Sequence, residues 1–352
     1  MDLNLFELQI SEDKLHPNFQ VISKDPELVR VIERWAKGFV DRDNNKFVKE
    51  FQKTFNSSFW EIYIYACLDK LNFKFDFSHT SPDFHISKNG LDYVVEAVST
   101  GNPEGFISEH EKSILFQQDS QKHWFQSDHE QMHADIISLA TERIRKSFTD
   151  KYKKYLNSYQ KLPHVKNKPF ILAIGAFEQP YFFTQKSAAI SRVLYGIKDA
   201  RYGSFGEPLI SIGETTLKHN ESEIDIGMFN DRKYEHVSAV LFNPIATSGK
   251  ARAHQRKKSK EILFDTVRYN LYGSDTIREH SIPHNKYHES LLDGMYLLIN
   301  PYAKYPIDPN LFDDNDISIW YDAKEQKVKH RFLFTRSVLN ITRYGDGQEE
   351  DF

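Results

Sequence analysis

Residues 51–100 constrain the fold of this chain more than any other stretch, because they predict a helix and a strand in immediate succession. From Phe55 to Cys67 the apolar residues recur at intervals of three and four, the spacing of a core-facing helix. Asn72 interrupts this pattern, and residues 73–77 then alternate between phenylalanine and a polar residue. That alternation is typical of a half-buried strand.

A hairpin is predicted to follow the strand. Ser81-Pro82 favours a turn, since proline fixes its own φ and restricts the residue before it. Residues 83–87 and 91–98 are rich in β-forming residues and flank Lys88-Asn89-Gly90, a good hairpin turn. Helix, strand and hairpin together indicate a mixed α/β domain.

Three acids fall on these elements. Asp83 opens the first arm of the hairpin, Glu96 lies inside the apolar run of the second arm, and Glu61 lies at the margin of the helix's apolar face. A carboxylate in an apolar strand must be paired, protonated or bound to a metal, because burying an isolated charge is very costly. Mg²⁺ takes oxygen ligands, often one or two carboxylates with waters and substrate phosphate. The three acids therefore predict a metal site.

Pro82-Asp83 and Glu96-Ala97-Val98 resemble the two halves of the motif that names the PD-(D/E)XK nuclease superfamily, which has the restriction-endonuclease-like fold. Glu61 is similar to the additional acid that many members carry. The resemblance covers about residues 45–180. It implies a mixed central sheet flanked by helices, with Mg²⁺ or Mn²⁺ bound by Asp83 and Glu96 and with Glu61 assisting directly or through water.

The chain departs from this family at Val98, where the motif has its lysine, on the same strand face as Glu96. Either the lysine has moved to another element or the chain is an inactive descendant. A helix is predicted over residues 132–159, and Lys151 falls in the middle of its apolar stripe whereas Lys146 falls opposite. We expect Lys151 to be the relocated catalytic lysine; the alternative is a lysine at the exposed end of the helix.

A second positive feature is the segment 250–260, which is the densest run of basic residues in the chain. The formal net charge of −4 argues against a protein that coats nucleic acid over its whole surface, so any such contact must be local. This segment is predicted either to contact the phosphate backbone or to be a disordered basic loop. Its basic residues are Lys250, Arg252, Arg256, Lys257, Lys258 and Lys260.

Four regions are expected from these patterns. They are an N-terminal helical or irregular extension (1–45), a nuclease-like α/β core (46–180), a C-terminal α/β elaboration that either stands apart or continues the same sheet (181–344), and a disordered acidic tail (345–352). Further buried strands are predicted at 169–177, 237–242 and within 294–306, with an edge hairpin within 317–341. The polar segment 101–130 is either a cap over the substrate or an ordinary loop.

Composition narrows the class of protein. No run of eighteen apolar residues exists to span a membrane, and the acidic N-terminus lacks the features of a signal peptide. Cys67 is the only cysteine, so an internal disulfide is excluded. The chain also lacks the CxxC, HExxH, GxSxG, Walker A and dinucleotide motifs. These observations favour a cytoplasmic protein without a membrane partner.

Three functional hypotheses remain. The first is a metal-dependent endonuclease that hydrolyses DNA phosphodiester bonds, in restriction or phage defence; its partners would be nucleic acid, DNA rather than RNA, and a second copy or a defence complex. The second is a catalytically inactive, nuclease-derived module that binds nucleic acid or a partner protein. The third is an unrelated α/β enzyme or interaction protein.

Overall fold

The computed structural model describes most of the chain. The described residues are 3–43, 45–101, 129–177, 182–202, 208–218, 222–272 and 276–340. Nearly all of the predicted capping segment and the whole acidic tail at 345–352 therefore lie outside the described residues. Within those ranges, no helix has both the length and the apolar character that crossing a membrane requires.

Seven α-helices are formed by the described residues, and local sequence explains several of their ends. The Asp25 side chain accepts hydrogen bonds from the Glu27 and Leu28 amides at the start of the second helix, where Pro26 occupies the first position. Gly196 ends the sixth helix with a φ of 70°, a left-handed conformation that glycine adopts at little cost. The helices are α1 (Pro17–Ser23), α2 (Pro26–Trp35), α3 (Lys46–Lys53), α4 (Phe55–Lys70), α5 (His129–Asn157), α6 (Ala188–Tyr195) and α7 (Ser248–Ala253).

Fifteen β-strands accompany these helices within the described part of the chain. They are β1 (Lys74–Asp76), β2 (Phe84–Lys88), β3 (Leu91–Ser99), β4 (Phe170–Gly175), β5 (Ile197–Tyr202), β6 (Pro208–Ile212), β7 (Thr215–Leu217), β8 (Glu223–Asp225), β9 (Ala239–Phe242), β10 (Ile262–Arg268), β11 (Ile277–Pro283), β12 (Met295–Ile299), β13 (Ile317–Trp320), β14 (Gln326–Lys327) and β15 (Leu333–Asn340).

The central sheet has eight strands in the order β1-β2-β3-β4-β9-β12-β13-β14. β2 is antiparallel to both of its neighbours, β1 and β3, whereas β3, β4 and β9 run parallel. The predicted mixed α/β class with a mixed central sheet is confirmed. An edge hairpin is confirmed within 317–341, since β13 pairs antiparallel with β14, the last strand of the central sheet. The later residues of this range do not belong to it, because β15 pairs with β10 in a separate three-stranded sheet that also contains β11.

Successive residues of the central strands point into two different cores. Val95, Ile171 and Ala173 pack in the core that includes α1–α4, and Val94 and Leu172 pack in the core that includes α5 and α6. This period of two is expected of strands covered on both faces. The sheet is therefore the middle of three layers.

Helix α4 lies against the centre of the sheet and is buried around nearly its whole circumference, rather than along one face as its spacing predicts. The fully buried Trp60 donates a hydrogen bond from its indole nitrogen to the Ala173 carbonyl of β4, at 2.9 Å. That contact fixes the helix against the parallel strands, and with it the neighbouring Glu61.

Candidate functional site

The register of the hairpin places Asp83 across from Glu96. Phe84, the first residue of β2, pairs with Val95 of β3. Because the strands are antiparallel, Asp83, which precedes Phe84, lies beside Glu96, which follows Val95. Asp83 Oδ2 accepts a hydrogen bond from the Ala97 amide at 2.7 Å, and Arg42 donates to the Asp83 carbonyl oxygen at 3.0 Å. Two neighbouring elements therefore hold Asp83 at the end of its strand.

Glu96 faces a cluster of donors from α5 and the turn that follows it. Its side chain is only 2% exposed, and Lys151 Nζ lies 2.5 Å from Oε1. Lys154 Nζ lies 3.2 Å from the same oxygen, and the Tyr159 hydroxyl donates to Oε2 at 2.9 Å. Burial of this carboxylate is offset by two ammonium groups and a phenol, so both of its oxygens have partners.

The inward-facing lysine predicted on α5 therefore does contact one of the predicted acids. Val98 lies on the same face of β3 as Glu96, and its side chain packs in the α5 core. Lys151 comes from the helix that packs on this face and brings an ammonium group to the Glu96 carboxylate. Lys151 thus lies beside Glu96 although it comes from α5 and not from β3.

Glu61 and Asp83 share a different space from Glu96. Both line a cavity of about 120 Å³ between α4 and the segment that leads into α3. Glu96 is not among the residues of its wall, so the three predicted acids are divided between two environments with Asp83 in the middle. The remaining wall residues are Phe39, Val40, Asp41, Arg42, Asp43, Lys46, Phe47, Glu50 and Thr80.

The two acids of this cavity are hard to ionise. Burial raises the pKa of Glu61 well above its ordinary value; the Asp83 charge raises it further, and Arg42 opposes the shift. Burial likewise raises the pKa of Asp83 to about 7, with the Glu96 charge adding to the shift while Lys151 and the Ala97 amide oppose it. Carboxylates whose charges are this poorly compensated are typical of functional sites.

The donor set of the cavity fits a hard divalent cation at Glu61 and Asp83. Within the described ranges, no group of three His, Cys, Asp or Glu side chains has the arrangement of a metal site. Mg²⁺ requires only one or two carboxylates, with waters completing its shell, and a cation would relieve the repulsion between these two acids. Glu96 could join the ligands only by releasing one of its present donors. As metal ligands, the predicted pair of Asp83 and Glu96 is therefore less favourable than the pair of Glu61 and Asp83.

Three histidine side chains pack beneath the turn that carries Asp83. The rings of His79 and His164 stack with centroids 3.7 Å apart, and the ring of His85 lies 4.7 Å from that of His164. His164 Nε2 lies 2.9 Å from the Ser81 carbonyl oxygen, the geometry of an N–H donating to it. Burial lowers the pKa of His85 to about 4, and the neighbouring His164 adds to the shift. The three rings therefore support the Ser81 turn, and that of His85 is uncharged near neutral pH.

The predicted basic segment divides into buried and exposed halves. Lys250 is fully buried, 2.5 Å from Glu289, and therefore does not face solvent as the sequence interpretation requires. Arg252 lies 3.3 Å from Asp25, and Lys258 donates to the Ala253 carbonyl at 2.7 Å. The first residues of the segment form α7, which packs into the protein. The exposed cations of the segment are Arg256, Lys257 and Lys260.

Sequence reasoning did not assign three residues that contact the candidate site. Lys154 follows Lys151 by three positions, a spacing that places both on one side of a helix and could have identified it. Tyr159 and Arg42 carry no such signal, because their contacts depend on how separate elements pack. Comparisons with protein-family models, with curated proteins and with solved structures find no match to this chain.

Proposed function

We propose that this protein is a Mg²⁺- or Mn²⁺-dependent nuclease with a restriction-endonuclease-like core that hydrolyses DNA phosphodiester bonds. The observation that carries the proposal is the position of Asp83 directly beside Glu96, with Lys151 of the neighbouring helix in contact with Glu96. The order of α4, β1, β2, β3, α5 and β4 supports it, since it is the helix, strand, hairpin, helix and strand order that the resemblance implies.

Glu61 and Asp83 would hold the metal. When bound, the ion supplies a Lewis acid and a water of lowered pKa, so no protein nucleophile is needed. The Ala97 amide and Arg42 hold Asp83 in position before substrate arrives. Lys151 carries a positive charge at the edge of this site, where it can stabilise the charge that develops on the scissile phosphate.

Cleavage of supercoiled plasmid and labelled oligonucleotides in Mg²⁺ or Mn²⁺ tests the proposal. Asp83→Asn and Lys151→Ala should each lower the rate by at least about 100-fold, the size of effect that removal of one charge-stabilising group produces. Lys146→Ala is the matched control, because this lysine of the same helix is 79% exposed and its ammonium group pairs with Asp150 at the surface. Full activity in Asp83→Asn would exclude hydrolysis at this site.

A separate outcome would change only the assignment of the lysine. If Lys151→Ala remains active while Lys154→Ala does not, Lys154 carries the role, since both ammonium groups contact Glu96 Oε1. Circular dichroism of each variant distinguishes a local effect from loss of the fold.

A second candidate function is a non-catalytic module that binds nucleic acid or a partner protein. It is favoured by Glu96, whose two oxygens are both engaged by protein donors and are therefore poorly disposed to take a metal. In that case the protein binds DNA without cutting it, and Mg²⁺ changes the thermal stability of neither the wild type nor Asp83→Asn. A metal-dependent rise in melting temperature that Asp83→Asn abolishes would contradict this candidate.

A further inference from the structure

Two adjoining cavities lie at the carboxyl ends of β4 and β9. Each has a volume of about 350 Å³, and both are lined by Phe182, Thr247 and Ser248. Phe177 closely follows β4, and residues 245–248 follow β9. In open α/β sheets, ligands bind in the crevice outside the carboxyl ends of the parallel strands. The two cavities together are termed the β4–β9 cleft, and their size is that of a small-molecule site.

One half of the β4–β9 cleft, termed the aromatic half, is mainly apolar and contains four phenylalanines and a pair of amides. Asn18 donates from Nδ2 to Asn56 Oδ1 at 2.9 Å, so the two amide side chains lie together at the wall. Flat aromatic faces accept a nucleobase by stacking, and amides read the edge of a base by hydrogen bonds. The residues of this half are Asn18, Val21, Ile22, Phe55, Asn56, Phe59, Phe177, Phe182, Ala246, Thr247 and Ser248.

The other half carries hydroxyl groups and two arginines. Arg336 donates to Thr247 Oγ1 at 2.9 Å, and its guanidinium lies so close beneath Gly249 that a Cβ there would come within 3.0 Å of Nε. Arg252 is half-buried at this wall and forms an ion pair with Asp25. No Asp or Glu lines this half in the described part of the chain. Arg336 also pairs with the buried Glu289 at 2.7 Å, so the groups of this half that suit a phosphate are the hydroxyls and the half-buried Arg252 guanidinium.

The residues proposed for hydrolysis do not overlap with this cleft. Glu61, Asp83, Glu96 and Lys151 are absent from the walls of both cavities. Glu96 pairs with Leu172, the third residue of β4, whereas the cleft is lined by residues that follow the carboxyl ends of β4 and β9. A ligand in the cleft would therefore leave the proposed catalytic site unoccupied.

We propose that the β4–β9 cleft is a nucleotide-binding site, with the base held in the aromatic half and the phosphate in the half that carries Arg252, Ser248 and Thr247. The site goes beyond the proposed hydrolysis and does not depend on it. Two kinds of ligand share this chemistry. One is a free mononucleotide, and the other is a single nucleotide within a nucleic-acid strand whose remainder leads out of the cleft, away from the acids.

Equilibrium dialysis in a metal chelator tests this site without involving cleavage. The probes are the four deoxynucleoside monophosphates, the matching deoxynucleosides and inorganic phosphate. At least one monophosphate should bind ten-fold or more tightly than both its nucleoside and phosphate alone, because only the nucleotide fills both halves of the cleft. The proposal is overturned if no monophosphate does so.

Two surface variants locate the binding. Ser248→Glu adds a carboxylate at an exposed position that borders both halves and should weaken the monophosphate at least ten-fold more than it weakens the nucleoside. Val21→Trp fills the mouth of the aromatic half from a position that is 64% exposed, and should weaken both. Ser11→Glu and Leu8→Trp are the matched controls, since both positions are exposed and line neither cavity. Wild-type binding in both cleft variants would refute the assignment.

Competition between the bound monophosphate and a ten-residue oligodeoxynucleotide shows whether the occupant is a free nucleotide or part of a nucleic-acid strand. Displacement of the monophosphate, with oligonucleotide binding also weakened by Ser248→Glu, supports a strand that passes through the cleft. An oligonucleotide that neither competes nor responds to Ser248→Glu, while the monophosphate does respond, supports a free nucleotide as the occupant.

Discussion

Two regions of this protein bury acids among cations, and they do so with opposite results. Around Glu289, Lys250 lies 2.5 Å away, Arg336 lies 2.7 Å away and the Tyr287 hydroxyl donates at 2.6 Å. Burial opposes the charge of Glu289, but Arg336 and Lys250 outweigh that effect and lower its pKa to about 2. At Asp83 burial dominates instead, and the pKa rises to about 7.

The difference lies in where the cations are. Each acid of the Glu289 region has a guanidinium or ammonium partner, since Arg268 also pairs with Asp293 at 3.2 Å. In the candidate site, Lys151 and Lys154 both contact Glu96, which leaves the cavity shared by Glu61 and Asp83 short of positive charge. A compensated cluster stabilises the fold, whereas an uncompensated one has capacity left for a ligand.

The largest expected effect comes from breaking the compensated cluster. Glu289→Gln should lower the free energy of unfolding by about 3–5 kcal/mol, because Lys250 and Arg336 would remain buried without their acid. Urea denaturation measures this change. Glu279→Gln is the control, since that acid is partly exposed and pairs with Arg331 at the surface. A decrease no larger than that of the control would contradict the role assigned to Glu289.

The pH dependence of the same variant sharpens the comparison. Because the folded-state pKa of Glu289 is about 2, below its ordinary value, its contribution to stability is fully present above the ordinary pKa. The difference between wild type and Glu289→Gln should therefore be constant from about pH 5 to 8, shrink below about pH 4 and vanish as the pH falls through about 2. Urea midpoints across this range measure the difference, and a difference that grows on acidification would refute the interpretation.

A smaller change in the free energy of unfolding, of opposite sign, is expected at the uncompensated cluster of Glu61 and Asp83. Asp83→Asn should raise the free energy of unfolding by about 1–2 kcal/mol at pH 8 in a metal chelator, because the amide removes a carboxylate that burial and Glu96 disfavour. Asp92→Asn serves as the control, since that acid is exposed beside Lys168. Lower stability of Asp83→Asn in the chelator would show that the acid is structural, as Glu289 is.

The smallest effect should come from the exposed half of the basic segment. If Lys257 and Lys260 neutralise phosphates, the double reversal Lys257→Glu with Lys260→Glu should weaken DNA binding and reduce the salt slope by about 1 for each phosphate that is no longer neutralised. Lys14→Glu with Lys24→Glu is a control with the same charge change at exposed positions. Equal salt slopes in both double variants would remove the segment from the DNA-binding surface.

The sequence predicted those features that depend on residues close together in the chain. The Lys88-Asn89-Gly90 turn and the alternation of its arms predicted the β2–β3 hairpin, and with it the approach of Asp83 to Glu96. Helical periodicity predicted that Lys151 points inward. The partners of these residues were harder to predict: Lys151 meets Glu96 because α5 packs on the sheet, and Tyr159 joins them from the turn beyond that helix.

Lys250 shows the limit of sequence reasoning. Among six basic residues in eleven it has the character of a surface lysine, yet it lies in the interior because Glu289, Ser290 and Asp293 surround it. Likewise β15 is strand-forming by composition, but its partner β10 lies far away in the chain. Pairing across such separations is decided by packing and register, which no local pattern encodes.

The sequence by itself determined the elements around the candidate site, the turn that joins two of its acids, and the helix face that carries Lys151. Only the tertiary structure decided which acids receive a cation and which share a cavity. The physical reason is range: turn chemistry and periodicity act over a few residues, whereas the energy of a buried charge depends on every group that the fold brings around it.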